Sequence, residues 1–545
     1  MSSSSSEKVY DVCVIGAGPA ALSVLSALNS PERLLNDRDI QRRNLTLGGF
    51  SKTLSVCVID PAGCWMAEWK GRFKALGIDY LRSPAWATPD YNNNGSISNF
   101  ARKHGRESEF STYEVHIPKD ASAELKEHVD GGLYKLPGSA LFNDFCAELA
   151  KELPHDFVKG SARDVIKLDD NCYRVIDTEG AQLTKSRHVV FALGATCTPT
   201  IPQQLASLYG KCCSCTGCSP APTGSKGPKI LHSYSWQKLQ ALPLDDQTVV
   251  VIGGGLSAVQ SVLLAARRGA KRAILISRRA LRSRLYDLSI EWFNTRAGWR
   301  KSTERSKSKA EKFRMYEFYD TPKEERRDWV RSARDGATVP PYYLKELQAE
   351  VAKGTVEHYV DEISSAECNV DDNNNDGGCV HLSFAQGTAP VIQADRIILA
   401  TGSTLDINKL PLLKNVTESF DLPLIKGLPD LNNELMWGEE NFSVVGALSL
   451  MQVGPEAGNL SGCRRCAERC AQNLGAFKKM WEKHGPLGNR FEGFAVSSDE
   501  SSECDSDSDS DSDSKGSESE SGSGSESKGE GESPGRGSER CPLRL

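Results

Sequence analysis

The residues best suited to do chemistry in this chain are small ones. Gly16, Gly18 and Ala21 directly follow an apolar, β-branched run at 9–15. A dinucleotide pyrophosphate must come close to the backbone at the start of a helix, which excludes bulky side chains there. In such a pattern the first glycine makes the turn, the second admits the phosphates, and the third small residue lets the helix pack on the strand. We therefore predict a strand, a turn and a helix that bind a dinucleotide.

An acidic residue ends the next apolar run, residues 54–59. Asp60 is placed to accept hydrogen bonds from the adenosine ribose hydroxyls, which is the usual role of an acid at such a strand end. It comes later than the usual spacing of about 20 residues after the glycines. A charged and polar insertion, 30–52, accounts for the delay. Capping of the turn that follows, together with Pro61, is the alternative role.

The same pattern of small residues recurs in the middle of the chain. Its members follow the apolar run 248–252 and are Gly253, Gly255, Ser257 and Ala258. The next strand ends without an acid, at Arg278 and Arg279, and a guanidinium pairs well with a ribose 2′-phosphate. We expect NADPH at this second turn. NADH is the alternative, if the two arginines only face solvent.

Two tryptophans and an arginine lie between the glycine turns. Trp65 and Trp69 are suited to line the edge of a flavin, and a place in the hydrophobic core is an equal alternative. Arg82, in the segment Leu81-Arg82-Ser83-Pro84, is a candidate for contact with a cofactor or substrate phosphate.

The cysteines favour free thiols over a metal site. The chain has 17 cysteines, an odd total that argues against a disulfide framework. They include two clusters, which are Cys212, Cys213, Cys215 and Cys218, and Cys463, Cys466 and Cys470. Neither cluster has a matched pair of CxxC segments or a histidine partner, so we expect no metal.

The charge is concentrated at one end. The net charge is −6, and residues 496–545 contribute 14 acidic and 5 basic side chains, or −9, which leaves +3 for the rest. That remainder has no basic stripe, so we expect no nucleic-acid partner. No run approaches the roughly 20 apolar residues that cross a bilayer. The first eight residues are Ser-rich and polar, and we expect a cytoplasmic protein without a membrane span.

The order of these motifs resembles that of FAD/NAD(P)-binding oxidoreductases. The similarity covers roughly residues 9–474 and is greatest to flavin-containing monooxygenases, ornithine and lysine N-hydroxylases, and oxidative-stress-induced growth-inhibitor-like proteins. Further shared segments are Asp60-x-x-Gly63-x-Trp65, Ala400-Thr401-Gly402, and Val445-Gly446-Ala447-Leu448 through Gly454-Pro455. Two departures stand out: Ala85-Trp86 replaces a His common in relatives, and Ala192-Leu193-Gly194 replaces Ala-Thr-Gly.

The resemblance implies a fold and a pair of cofactors. It places FAD at the first turn and NADPH at the second, with Gly194 and Gly402 at the exits between domains. Residues 446–458 are expected to close over FAD, with Gln452, Gly454 and Pro455 nearest to it. The helix at 462–474 is then expected to point its N-terminus at the pyrimidine end, where its dipole favours reduced, anionic flavin.

The activity implied is that of a monooxygenase. Hydride passes from NADPH to flavin, and a C4a-(hydro)peroxyflavin oxygenates a small nucleophilic substrate, so no catalytic protein side chain is required. An NADPH-flavin reductase or oxidase is one alternative, although the CxxxxC of disulfide reductases is missing: Cys57 and Cys64 are seven apart. A non-enzymatic flavoprotein redox sensor is the other.

We predict an α/β protein with two Rossmann-like dinucleotide-binding domains and a disordered acidic tail. The domain assignment is FAD-binding at 1–230, NADPH-binding at 231–390 with a helical excursion at 287–353, a return to the FAD-binding domain at 391–485, and the tail at 486–545. The tail has too few apolar residues to bury. Its serines among acids resemble kinase sites that recruit partners, and a solvating tail is the alternative.

Overall fold

The two glycine turns lie on two separate sheets. The computed structural model describes residues 8–29, 54–114, 133–194, 198–209, 229–288, 318–334, 336–369 and 379–484. All of these belong to one compact unit, Met1–Leu487. The insertion predicted at 30–52, the cluster from Cys212 to Cys218 and the acidic tail at 486–545 lie outside the described residues.

The strands follow the apolar runs of the sequence. They are β1 Val9–Ile15, β2 Val56–Asp60, β3 Phe110–Glu114, β4 Leu133–Pro137, β5 Asp156–Lys159, β6 Ala162–Lys167, β7 Tyr173–Asp177, β8 Gln182–Phe191, β9 Thr198–Pro199, β10 Ile230–His232, β11 Thr248–Ile252, β12 Arg272–Ser277, β13 Val356–Val360, β14 Ile363–Asn369, β15 Cys379–Phe384, β16 Ile392–Ala394, β17 Arg396–Leu399, β18 Ser403–Thr404, β19 Leu424–Ile425, β20 Leu428–Pro429 and β21 Phe442–Val444.

The helices fall between them. They are α1 Pro19–Leu28, α2 Ala67–Leu76, α3 Ser96–Lys103, α4 Ser139–Glu152, α5 Gln203–Ala206, α6 Trp236–Ala241, α7 Leu256–Arg267, α8 Lys323–Arg334, α9 Pro341–Ala352, α10 Pro411–Phe420, α11 Leu450–Val453 and α12 Leu460–His484. Short 3₁₀ turns lie at Glu107–Glu109, Ile407–Lys409, Gly446–Ser449 and Pro455–Gly458. The α/β class predicted from the sequence is confirmed.

The first sheet is parallel around β1. Its order is β5-β2-β1-β8-β7-β6, and β21 also pairs with β8. The strands β5, β2, β1 and β8 run parallel, as does β21, while β7 and β6 are antiparallel additions. The inner residues of β1 and β2 are almost fully buried. Burial on both faces explains why these strands are continuous apolar runs instead of alternating ones.

The second sheet is parallel throughout. Its order is β10-β17-β11-β12-β13, and the antiparallel β14-β15-β16 forms a separate three-stranded sheet. The strand β17, Arg396–Leu399, pairs with both β10 and β11. This corrects the prediction that the chain returns to the first domain at 391. The strand-to-glycine pattern at 396–402 belongs to the second sheet, and β21 is the strand that rejoins the first.

The two connections between the sheets lie side by side. β9 and β18 pair antiparallel, with Pro199 opposite Ser403. The Thr200 amide donates to the Gly402 carbonyl at 3.0 Å, and the Thr401 hydroxyl donates to the Thr200 carbonyl. The predicted exits Gly194 and Gly402 therefore each precede one strand of a small two-stranded junction.

Candidate cofactor sites

The first glycine turn is held by backbone contacts on both sides. The Gly16 amide donates to the Ile59 carbonyl at 2.8 Å, and Gly16 has a φ of +111°. A Cβ added to Gly16 would lie 2.5 Å from the Ala192 carbonyl oxygen, so no larger residue fits. Ala21 is fully buried where α1 packs on the sheet. These positions make the turn in the way the sequence predicts.

Gly18 has a different environment. It precedes α1 in extended conformation, and a Cβ added there would meet no atom within 4 Å. Its lack of a side chain is therefore not required by packing against the rest of the protein. The open space lies at the N-terminus of a ten-residue helix, whose free amides and dipole attract anions.

Asp60 ends β2 beside this turn. One carboxylate oxygen accepts from the Ala17 amide at 3.1 Å, and the other accepts from the Ala62 amide at 2.9 Å. The second bond is the local capping that the sequence left open. The first joins Asp60 to the glycine turn itself, so the carboxylate lies between the turn and the end of β2.

The two tryptophans pack within the protein. The Trp65 indole N–H donates to His155 Nε2 at 3.1 Å, and the Trp65 ring meets Phe157 edge-on. Trp69 stacks on Phe73 with ring centroids 3.9 Å apart. These contacts favour the core role for both. The structure does not bring Trp65 to the glycine turn; its neighbour Met66 is there instead, with an amide that donates to the Ala17 carbonyl.

Arg82 connects the segment after α2 to two segments that lie far from it in the sequence. Its three nitrogens donate to the carbonyls of Arg284, Leu285 and Tyr286, and to the carbonyl and hydroxyl oxygens of Thr338. Burial lowers the pKa of Arg82. Protein oxygens therefore accept from all three nitrogens, and contact between Arg82 and a phosphate stays a prediction from the sequence.

The second glycine turn repeats the geometry of the first. Gly253 has a φ of +153°, its amide donates to the Ile276 carbonyl, and an added Cβ would lie 2.3 Å from the Ala400 carbonyl oxygen. Ala258 is fully buried, and Ser257 lies in the first turn of α7. At Gly255, however, an added Cβ would lie 3.1 Å from the Cβ of Ala337.

Arginines surround the end of β12. Ser277 is buried and its hydroxyl pairs with His358 Nε2 at 2.9 Å, whereas Arg278 and Arg279 are exposed. Arg279 lies against Gly336, where an added Cβ would be 2.5 Å from the guanidinium. The two exposed arginines therefore follow the end of β12 at the same edge of the second sheet as the glycine turn.

Residues 446–458, the C-terminal segment, return to the first turn. Gly446 has a φ of +79°, and an added Cβ would lie 3.4 Å from the Cβ of Ala20. Gly454 also has positive φ, +106°, and Pro455 is buried. The Gln452 amide group donates to Asn433 at 2.8 Å. The structure thus brings Gly446 to the start of α1, and it turns the Gln452 side chain toward Asn433.

Three arginines that the sequence analysis missed hold this segment. Arg326 donates to the carbonyl of Met451, Arg469 to that of Gln452, and Arg334 to that of Pro455. Arg326 and Arg334 lie on α8, eight residues apart and so on one face of the helix. That spacing was the available signal. It was hidden because the excursion was interpreted as part of the second domain alone.

A buried ion pair follows at the start of α12. The Glu456 carboxylate is fully buried and accepts from the Arg465 guanidinium and from the Ser461 hydroxyl. Burial raises the pKa of Glu456 to about 7, against the opposing effect of Arg465. The helix itself begins at Leu460, two residues before the predicted start at 462.

The cysteines of α12 are buried free thiols. Cys463, Cys466 and Cys470 are unpaired, and burial raises the pKa of each. Cys466 lies 3.4 Å from the Gly446 amide and 3.2 Å from the Ser449 hydroxyl. Within the described parts of the chain, no group of His, Cys, Asp or Glu side chains is arranged to hold a metal. None of the helices there is long and apolar enough to cross a membrane.

No protein-family model matches this sequence, and no curated protein sequence matches it. Solved structures are similar over most of the chain. The ornithine hydroxylase PvdA from Pseudomonas aeruginosa has a TM-score of 0.57 and 17% identity, and the match covers 86% of this chain and 99% of that one. The Kutzneria sp. 744 ornithine N-hydroxylase KtzI has a TM-score of 0.59 and 13% identity, and the match covers 86% of this chain and 100% of that one.

The cadaverine monooxygenase DfoA from Erwinia amylovora has a TM-score of 0.57 at 15% identity, with 91% of this chain and 100% of that one covered. This chain shares the fold of these three enzymes. The structural resemblance predicted from the motifs is thereby confirmed. The DfoA structure contains FAD, and the KtzI structure contains reduced FAD, NADP⁺ and L-ornithine.

Proposed function

We propose that this chain is an FAD-dependent oxidoreductase that takes hydride from NADPH and oxygenates a small nucleophilic substrate. The observation that carries the proposal is the open space at Gly18, at the N-terminus of α1. Open space at a glycine between a parallel strand and a helix suits a dinucleotide pyrophosphate. FAD, when bound, supplies hydride acceptance and the activation of dioxygen.

The residues that would hold FAD come from three parts of the first sheet. Gly16, Gly18 and Ala21 would admit the pyrophosphate, and Asp60 would accept the ribose hydroxyls. The C-terminal segment would cover the cofactor from Gly446, beside Ala20, through Gly454 and Pro455. Since three arginines bind the backbone carbonyls of that segment, its position is fixed by the protein in advance.

The NADPH site would lie on the second sheet. Its turn would consist of Gly253, Gly255, Ser257 and Ala258, and Arg278 and Arg279 would receive the 2′-phosphate. The domain assignment is proposed in amended form: the nucleotide domain extends through β17, and the return to the FAD domain follows Gly402. Kinase sites in the acidic tail, and partners recruited by them, remain a proposal from the sequence.

Primary amines are the first substrates to test. PvdA and KtzI are named for ornithine and DfoA for cadaverine, and amines are nucleophiles of the class that the proposed chemistry requires. The substrate is not specified by the fold.

Spectroscopy of the purified chain tests the proposal. We expect a yellow protein with FAD near one per chain, bleached by NADPH without oxygen, and oxygenated product when an accepted amine and oxygen are added. Colourless protein, or flavin that NADPH does not bleach, would contradict it. NADPH consumption with one peroxide per NADPH for every amine would favour the oxidase alternative.

The nucleotide preference has its own prediction. Replacing both Arg278 and Arg279 with Ala should raise the KM for NADPH at least tenfold and leave the KM for NADH unchanged, because only NADPH has the 2′-phosphate. Arg331→Ala, on the exposed side of α8, is the matched control and should change neither. Equal KM values for NADPH in the wild type and the double variant would show that the two arginines only face solvent.

A further inference from the structure

Two chain segments pair beside the second glycine turn. Residues 282–286 and 336–339 form a short ribbon in which Ser283 and Val339 are bridged. The Val339 amide donates to the Arg282 carbonyl at 2.9 Å, and the Arg284 amide donates to the Val339 carbonyl at 3.0 Å. We call this pair of segments the ribbon. It links β12, with its exposed arginines, to the helices α8 and α9 of the excursion.

The tip of the ribbon touches the turn. Ala337 is the residue that an added Cβ on Gly255 would meet, at 3.1 Å, and Gly336 beside it contacts the guanidinium of Arg279. Both Gly336 and Ala337 are exposed, whereas Thr338 is buried. Burial therefore restrains the base of the ribbon more than its tip.

The base of the ribbon is held from the first half of the molecule. Arg82 donates to three carbonyls on one segment and to Thr338 on the other, so a single guanidinium binds both. At the neighbouring end of α8, Arg334 donates to the Pro455 carbonyl at 2.7 Å. The position of the ribbon thus depends on contacts outside the second sheet.

Gly18 and Gly255 occupy equivalent places in the two turns, and only Gly18 faces open space. A phosphate oxygen must come within about 3 Å of a backbone amide to accept its hydrogen bond. The methyl group of Ala337 occupies the side of Gly255 from which the first turn leaves access free. A pyrophosphate that approached Gly255 as one can approach Gly18 would meet that methyl group.

We propose that the ribbon is a gate on the nucleotide site, closed in this structure, and that Arg82 is the positioning residue that holds it. The inference rests on the proposed NADPH site. Nucleotide binding then requires the tip to move away from Gly255. The apparent affinity for the nucleotide is reduced by the fraction of molecules in which the gate is closed.

Hydrogen exchange in the full-length, FAD-loaded protein tests the movement. NADP⁺ is the ligand because it has no hydride to give, and its Kd is measured on the same sample. We expect the Val339 and Arg284 amides to exchange at least tenfold faster with NADP⁺ bound, because their hydrogen bonds to the Arg282 and Val339 carbonyls hold the two segments together and loosen when the tip moves. A bound ligand that merely covers a fixed ribbon would slow both amides or leave them unchanged, and that result would overturn the gate.

Substitutions at the tip and base test the same idea without relying on exchange. Ala337→Gly should lower the Kd for NADP⁺ about threefold, the effect of one methyl contact, and Ala337→Val should raise it. Arg82→Lys should also lower the Kd, and a variant that merely damaged the fold would not bind more tightly. FAD content should be unchanged in Ala337→Gly and Ala337→Val, and the control Arg331→Lys should match the wild type.

Two results separate the gate from the proposed function. If NADP⁺ binds the wild type, Ala337→Gly and Ala337→Val with one Kd, the gate is wrong and the NADPH site stands. If NADP⁺ binds none of the variants while FAD is retained, the NADPH site is wrong and the gate is overturned with it.

Discussion

The two glycine turns have nearly the same backbone geometry, but their surroundings differ. In each, the first glycine has positive φ, its amide bonds to the end of the neighbouring strand, and a carbonyl at the strand exit, Ala192 or Ala400, excludes a Cβ. They differ at the second glycine. Gly18 faces open space and Gly255 faces Ala337. A motif can therefore determine the turn without determining access to it.

The difference arises from segments distant in sequence. The first turn is approached by Gly446, which comes to α1 without covering Gly18, whereas the second is approached by the ribbon. Arg82 belongs to the first half and holds the ribbon of the second. We infer that a resident cofactor suits the open turn, and that a nucleotide which binds and leaves suits a turn with a movable cover.

The shared part of the comparison predicts the largest effects. Gly16→Ala and Gly253→Ala should each lower the free energy of unfolding by about 2–5 kcal/mol, since each adds a Cβ against a backbone carbonyl at positive φ. Urea unfolding of the FAD-free protein measures this. Gly180→Ala is the control for positive φ alone, because a Cβ there meets nothing within 4 Å. If either Gly16→Ala or Gly253→Ala has the same free energy of unfolding as Gly180→Ala, the two turns are not equivalent.

The second glycines, Gly18 and Gly255, have different surroundings, and substitutions there should have smaller effects that differ between the two turns. Gly18→Ala should leave the free energy of unfolding of the FAD-free protein within about 0.5 kcal/mol of wild type, because its methyl group would meet no protein atom within 4 Å. It should weaken FAD binding at least tenfold, because that methyl group would enter the space proposed for FAD. Gly255→Ala should cost about 1 kcal/mol by pressing on Ala337, and it should leave FAD binding unchanged. Equal stability losses in the two FAD-free variants would contradict the difference in access.

What the sequence predicted well was local. The runs 9–15 and 248–252 are strands, and the small residues after them make the turns, because positive φ, a nearby carbonyl and helix packing restrict those positions to few residue types. The position of Asp60 at the end of β2 could also be predicted, because it follows an apolar run. The strand at 396–399 was assigned to the wrong sheet, because each sheet contains an apolar run that ends near a glycine, and that pattern does not distinguish the two sheets.

What it missed depends on contacts across the chain. Arg82 was expected at a phosphate, and only the fold shows that carbonyls from 284–286 and Thr338 surround it. The closure of Gly255 by Ala337 joins residues 82 positions apart, with no motif at Ala337. Trp65 was ambiguous because a half-buried indole suits either a cofactor or His155. Pairwise contacts of this kind carry no local pattern.

The smallest effect concerns one buried histidine in each sheet. His188 lies in β8 of the first sheet and His232 in β10 of the second, and burial lowers their pKa to about 3 and about 4, from 6.5. Below about pH 6.5 these two imidazoles therefore bind protons in the unfolded chain and stay neutral in the folded protein. The stability from each neutral ring is full above pH 6.5 and is lost as pH falls from 6.5 toward the folded pKa. Between pH 7 and pH 6 we expect a loss of about 0.7 kcal/mol for each histidine.

Substitution assigns that loss to a sheet. His188→Gln and His232→Gln should each remove about 0.7 kcal/mol of the fall in unfolding free energy between pH 7 and pH 6, measured by urea titration at both values. If the two sheets unfold in separate steps, His188→Gln should change the pH dependence of one step and His232→Gln that of the other. A pH dependence that neither substitution alters would mean that each ring has the same pKa in the folded protein as in the unfolded chain. The Nδ1 of His232 argues against that, because it already accepts the Tyr234 amide at 3.2 Å and has no place for a second proton.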